Sequence, residues 1–242
     1  MINVYKSFAK RWQNTIRQYA LDVWRNRVDD KVQARFDRQA DLFSREFRYA
    51  LEQRYQKKGI NVYRGTIDGK VNEWLARQRG LQETLKVMAT ERKDKLVADE
   101  IERIESDETV DIQERVNKVY ALKEDENVYK VFSFAEHFDA KASQIGDDEA
   151  FELGREINNA VISQNTDRYF WRVQQDTKVR KTHLMLADKC FLFSDPPTTI
   201  DEYGNKHTGN PGTDYGCRCW AEPAPAREKV KRHYIVRAGK AA

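Results

Sequence analysis

All five prolines of the chain, Pro196, Pro197, Pro211, Pro223 and Pro225, fall after residue 195. A proline inside a helix removes a backbone hydrogen bond and clashes with the preceding turn. The first 195 residues are therefore free to form helices of any length, and the remainder is not. Glycine is also absent before Gly59. Within that stretch apolar residues recur at Tyr5, Phe8, Trp12, Ile16, Tyr19 and Val23, then at Val28, Val32, Phe36, Phe43, Phe47, Leu51 and Tyr55. Steps of three and four, with a few skips, describe one stripe on a helix. "QKKG" at 56–59 places lysines in a last turn and glycine just beyond it, a stop signal. Unbroken, such a helix is about 85 Å long. "RVDDKVQ" at 27–33 is poorer in apolar residues and is where a bend fits.

"INVYRGTIDGKV" at 60–71 reads as a break, with a hairpin around Asp68-Gly69. Helical periodicity resumes in "VNEWLARQRG", which ends at Gly80, and in residues 81–106, rich in good helix formers. "VDIQERVNKVYAL" and "VYKVFSFAEHFDAKASQIG" follow, and a further helix is expected to start at Asp147 or Asp148 as N-cap. After Asn165 the texture changes. "RYFWRV" reads as a strand, "TKVRKTHLMLA" as a short helix, "CFLF" as a strand, residues 194–216 as a turn-rich loop and "CRCWAEP" as a last strand. The expected fold is mainly α, a long N-terminal helical stem with a small C-terminal α+β module. The expected divisions are a helical region at 1–145, the module at 146–225 and a basic tail at 226–242.

Charge and cysteine usage narrow the function classes. The 43 basic and 39 acidic side chains leave a net charge of +4, which does not by itself announce a nucleic-acid binder. Mean hydropathy is −0.85, as for a soluble protein. No run of ~18 apolar residues suggests a membrane span, and "MINVYKSFAKRW" lacks the apolar core of a signal peptide. Three cysteines, an odd number, do not make a secreted disulfide framework, so a reducing cytoplasm is expected.

His183, Cys190, Cys217 and Cys219 form the strongest chemical constellation, because one imidazole and three thiolates suffice for structural zinc. A small loop-rich module gains from such a staple. Against it, zinc knuckles use Cys-x2-Cys, and side-chain alternation along a strand is expected to set Cys217 and Cys219 apart. The competing reading makes Cys190 a small core residue and the other two a packed or bridged pair. Nothing marks an orienting group or oxyanion site for a His183–Cys190 nucleophile. The sequence also has no His-x-Glu with Pro-Cys-x-x-Cys of a zinc deaminase, no His-Glu-x-x-His around His137 and no phosphate-binding glycine loop. Asp176 is placed to cap a helix on which Arg180 and His183 share a face. Arg227, Lys229, Lys231 and Arg232 make the tail a candidate contact for DNA phosphates or an acidic partner, or a solvated end.

Taken in order, Trp171, Asp176, Arg180 and His183 (W-x4-D-x3-R-x2-H), Pro211-Gly212, Cys217-Arg218-Cys219 and Pro223 resemble the phage Mu protein F-like head morphogenesis family, the minor head proteins of tailed bacteriophages. The resemblance covers about residues 147–223 and departs at Ala187-Asp188, where the family often has a glycine. It implies a non-catalytic component of the virion head, assembled in the bacterial host cytoplasm. Its implied partners are the portal protein and the major capsid or scaffold protein, with effects on DNA packaging or ejection and no membrane. The alternatives are a phage-encoded nuclease or transferase built on the His183/cysteine module, and a nucleic-acid-binding accessory protein. The absent carboxylate metal motif weighs against the nuclease, and the near-neutral charge against the accessory protein. Docking is expected through the 1–58 stripe, part of which should stand exposed until a partner covers it.

Overall fold

The computed structural model describes residues 2–123, 128, 131–174, 179–214 and 217–238, with side chains from residue 7 onward. Among them the chain is mainly α, with two small sheets near the C-terminus. The region read as one helix is helical from Ile2 as expected, but in two pieces, α1 (Ile2–Trp24) and α2 (Asp30–Lys57). Asn26 takes a left-handed conformation with φ 53°, which asparagine tolerates well. Asp29 then caps α2 by accepting from the Val32 N–H at 2.8 Å. Buried Lys93 donates to Asn26 Oδ1 at 2.8 Å and pins the bend. The single long helix is thus corrected to two. α2 stops where the sequence says, at Gly59 with φ 66°.

α3 (Arg64–Ser106) is one helix of 43 residues. This corrects both the hairpin at Asp68-Gly69 and the stop at Gly80. Neither glycine has an atom within 4 Å of where a Cβ would lie, so both sit on an open face. Each costs about 1 kcal/mol against alanine, less than the helix gains from burying Ile67, Val71, Trp74, Leu85 and Ala89. Asp68 does not turn the chain; it takes an ion pair from Arg48 at 2.6 Å. α4 (Ile112–Lys123) and the one-turn α5 (Phe134–His137) precede α6 (Asp139–Asn165). α6 passes through Asp147 and Asp148, which are therefore not its N-cap. Gly146 explains the continuity: a Cβ there would lie 2.5 Å from Gln13 Cα, so the glycine serves close helix packing, not a helix end.

The chain forms two compact units. One comprises Lys6–Ser44 and Leu75–Asp147; the other comprises Met1–Tyr5, Arg45–Trp74 and Asp148–Ala242. The first is a helical bundle whose core contains Trp12, Ile16, Tyr19, Phe36 and Phe43. The Trp12 ring lies 5.4 Å from Phe36 and 5.2 Å from Phe43, and Tyr19 lies 4.8 Å from Phe36. In the second unit Phe47, Leu51 and Tyr55 are buried, and the Tyr55 hydroxyl donates to Asn158 Oδ1 at 2.9 Å. From Phe8 to Tyr55 the described positions of the N-terminal stripe are therefore buried or half-buried. The expectation of an exposed docking stripe is corrected: a bent pair of helices folds the stripe inward.

Burial of the Tyr19 phenol, with the carboxylates of Glu83 and Asp37 nearby, pushes its pKa up to about 12. A group held protonated by the fold contributes stability that is whole below its unfolded pKa of about 10 and disappears as pH rises toward 12. Stability should be insensitive to this group up to about pH 10 and fall above it. Tyr19→Phe should shift the alkaline unfolding midpoint upward, read by circular dichroism across a pH titration.

The C-terminal strands are β1 (Arg168–Val173), β2 (Cys190–Leu192), β3 (Thr198–Ile200), β4 (Lys206–Thr208), β5 (Cys219–Pro223) and β6 (Ile235–Arg237), with the one-turn α7 (Lys181–Leu184) between β1 and β2. β1 is the centre of one antiparallel sheet, in the order β2-β1-β5. β3 is the centre of the other, antiparallel to β4 and parallel to β6. β3 and β4 lie inside the segment read as loop, and β6 inside the segment read as tail. Residues 226–238 are tied down as well: Lys231 N–H donates to Cys190 O at 2.9 Å, and Thr198 N–H to Tyr234 O at 2.8 Å.

Candidate metal centre

The register of the first sheet decides which side chains can meet. Side chains alternate faces with period two, and directly paired residues share a face. Tyr169 pairs with Phe191, Trp171 with Ala221 and Val173 with Cys219, all on one face. With Leu186, Cys217 and Val236 the fully buried members of that face form a small core. Cys217 stands two residues before Cys219, so the same period brings the two thiols together and turns Arg218 away. This corrects the expectation that a Cys-x-Cys pair diverges.

His183 completes the cluster. α7 presents its ring edge-on to Trp171, with centroids 5.5 Å apart, and the ring is 2% exposed. Its Nδ1 lies 3.5 Å from Cys217 Sγ and 3.5 Å from Cys219 Sγ. Two zinc bonds of about 2.3 Å to sulfur and about 2.0–2.1 Å to nitrogen, at a tetrahedral angle, hold N and S about 3.6 Å apart. Among the described residues these three form a group whose ligand atoms all lie within 4.8 Å of one another, and that group could hold a metal ion. On the far side of the ring, His183 Nε2 is 3.5 Å from Asp214 Oδ2, and the Arg180 guanidinium pairs with the same carboxylate.

The thiols are not equivalent. Cys217 is pushed well below the usual thiol range because Cys219 donates to it and His183 adds a second contact. The same Cys219–Cys217 contact, together with burial, pushes Cys219 up. Metal binding here would require both thiols to give up their protons, so it would be linked to pH.

Cys190 is not part of the group. It is buried, but its partner across the sheet is Phe170, so it lies on the opposite face from Cys219. Burial pushes its thiol up. The four-ligand set is therefore corrected to three, and Cys190 is a core residue. The other motif residues serve the framework. Trp171 packs on His183, and Arg180 holds Asp214. Pro211 O accepts from Asn159 Nδ2 at 2.6 Å. Gly212 has φ +90°, and a Cβ there would lie 2.8 Å from Arg155 Cδ. The Arg218 guanidinium lies over the Phe151 ring at 5.6 Å. Asp176 lies outside the described residues. Arg227, Lys229, Lys231 and Arg232 lie on the segment that leads into β6, all four exposed. Asp214 was not visible as a site residue: one aspartate in a glycine- and proline-rich loop carries no signal until the fold sets it against His183.

No family model, curated protein or solved structure matches the chain. No helix among the described residues is long and apolar enough to cross a membrane.

Proposed function

We propose that the chain is a minor head protein of a tailed bacteriophage, without catalytic activity, and that zinc on His183, Cys217 and Cys219 locks its C-terminal module. In this reading it is built into the virion head in the host cytoplasm through contacts with the portal and with the major capsid or scaffold protein. The observation that carries it is convergence. Of the family-like motif, His183, Cys217 and Cys219 meet in one cluster, with Trp171 packed on the His183 ring and Arg180 on the carboxylate behind it. A bound zinc would tie α7 to Cys219 at the start of β5 and to Cys217 just before it, a cross-link that supports a short, loop-rich segment. The Asp214 carboxylate faces the ring nitrogen that points away from the thiols and so holds Nδ1 toward them, an arrangement common to metal-binding histidines.

Three measurements test this. Asp214→Asn should weaken zinc binding about 10–100-fold in competition with a chromogenic chelator, and still load one ion at saturation. An unchanged affinity removes Asp214 from the site. In infected cells, portal used as bait should retain the chain. Phage carrying His183→Ala should show less of the protein in heads, in proportion to its loss of folded chain. Normal incorporation of the folded variant with collapsed infectivity would replace this reading with an enzymatic one.

A further inference from the structure

The N-terminal stripe is used up in the interior, but α4 keeps apolar side chains outside. Ile112 is 70% exposed, Val116 41% and Tyr120 70%. Successive steps of four residues drift by only about 40° around a helix, so the three form one strip about 12 Å long. Leu122, on another side of α4, is buried. It lines a groove of about 420 Å3 together with Ile104 and with Val131, itself 54% exposed.

The charge around this strip says what can cover it. Between Asp99 and Lys123 there are eight carboxylates against four cations, in a chain whose net charge is +4. Three of those cations are already engaged: Arg103 with Glu100 at 2.5 Å, Lys118 with Glu114 at 2.8 Å, and Arg115 with the Glu105 carbonyl at 2.8 Å. Such a surface repels nucleic acid, anionic lipid and a second copy presenting the same face. It attracts a cationic partner. An apolar strip two helical turns long in an acidic frame matches the apolar face of an amphipathic helix.

We propose that the exposed face of α4 is a docking site for an amphipathic helix with lysine- or arginine-rich flanks, supplied by a partner protein. This deepens the head-assembly reading and rests on it for the partner's role; the recognition chemistry does not depend on the zinc site. The full chain is titrated with a fluorescein-labelled amphipathic helical peptide of leucine and lysine, and with the same peptide carrying glutamate for lysine, by fluorescence anisotropy. The leucine–lysine peptide should bind saturably at one per chain, more weakly as salt rises, and the leucine–glutamate peptide should not. The double variant Ile112→Ser/Tyr120→Ser should weaken binding at least tenfold with an unchanged melting temperature. Tyr49→Ser/Tyr63→Ser, exposed elsewhere at 64% and 58%, should leave binding unaltered. The docking site is overturned by absent binding, by equal binding of both peptides, or by binding that survives the α4 double variant. It is also overturned if sedimentation shows a self-association that the double variant abolishes. Lost peptide binding in a chain that still enters heads removes the docking site alone. Normal peptide binding in a chain that never enters heads removes the head reading alone.

Discussion

Purified protein should carry about one zinc per chain, and Cys217→Ser should lose both the metal and the stability of the C-terminal module. The variant removes one of only three described ligands and leaves a hydroxyl in a position that is 2% exposed. Structural zinc in small domains is worth roughly 10–16 kcal/mol of apparent binding energy. Here a small core of Tyr169, Trp171, Leu186 and Phe191 shares the task, so a loss on the order of 5 kcal/mol is expected. Cys190→Ser is the informative comparison. That thiol is equally buried but faces away, so zinc content should be unchanged whatever happens to packing. Elemental analysis of both variants beside wild type decides the matter. A metal-free wild type, or zinc lost from Cys190→Ser, sinks the three-ligand assignment.

Trp12→Ala should cost about 3–5 kcal/mol, the usual range for deleting a large buried aromatic side chain. Trp12 is 0% exposed and packs among Phe36 and Phe43. The control is Tyr49→Ala on α2, 64% exposed, which should stay within about 0.5 kcal/mol of wild type. Urea unfolding monitored by circular dichroism measures both. A Trp12→Ala loss below about 1 kcal/mol would mean that the stripe is not core and would restore it as a docking surface. The same burial makes deletion of residues 1–58 a poor probe of assembly, because it removes a large part of both cores. Substitutions on α4 leave the interior intact.

The helices before residue 60 were legible because their buried positions are almost all aromatic or aliphatic. α3 was read as helical from residue 72 onward but was started late and divided at Gly80, for a specific reason. Its buried positions up to Leu96 run 67, 71, 74, 78, 82, 85, 89, 93 and 96, in unbroken steps of three and four, but Gln78, Gln82 and Lys93 occupy three of them. Gln82 donates to Asp37 and Lys93 to Asn26, so partners supplied by the tertiary fold make polar residues tolerable there. Local patterning cannot see those partners and reads the two glycines as ends. β3, β4 and β6 span three residues each, too few for alternation to register. At the candidate site, residue type found His183, Cys217 and Cys219. Excluding Cys190 needed the strand register, because only pairing with Phe170 or Val173 assigns a cysteine to a face.

The interleaving of the two units sets a schedule for synthesis. Arg45–Trp74 leaves the ribosome before Leu75–Asp147, yet its unit also needs residues from Asp148 onward. At roughly 5–20 residues per second, the intervening seventy-odd residues take about 4–15 s to translate. Throughout that interval Phe47, Leu51, Tyr55 and Ile67 have no native neighbours from the C-terminal half to cover them. The nascent chain therefore passes through an aggregation-prone stage that the finished protein does not share, and it is there that a chaperone would make the most difference to yield.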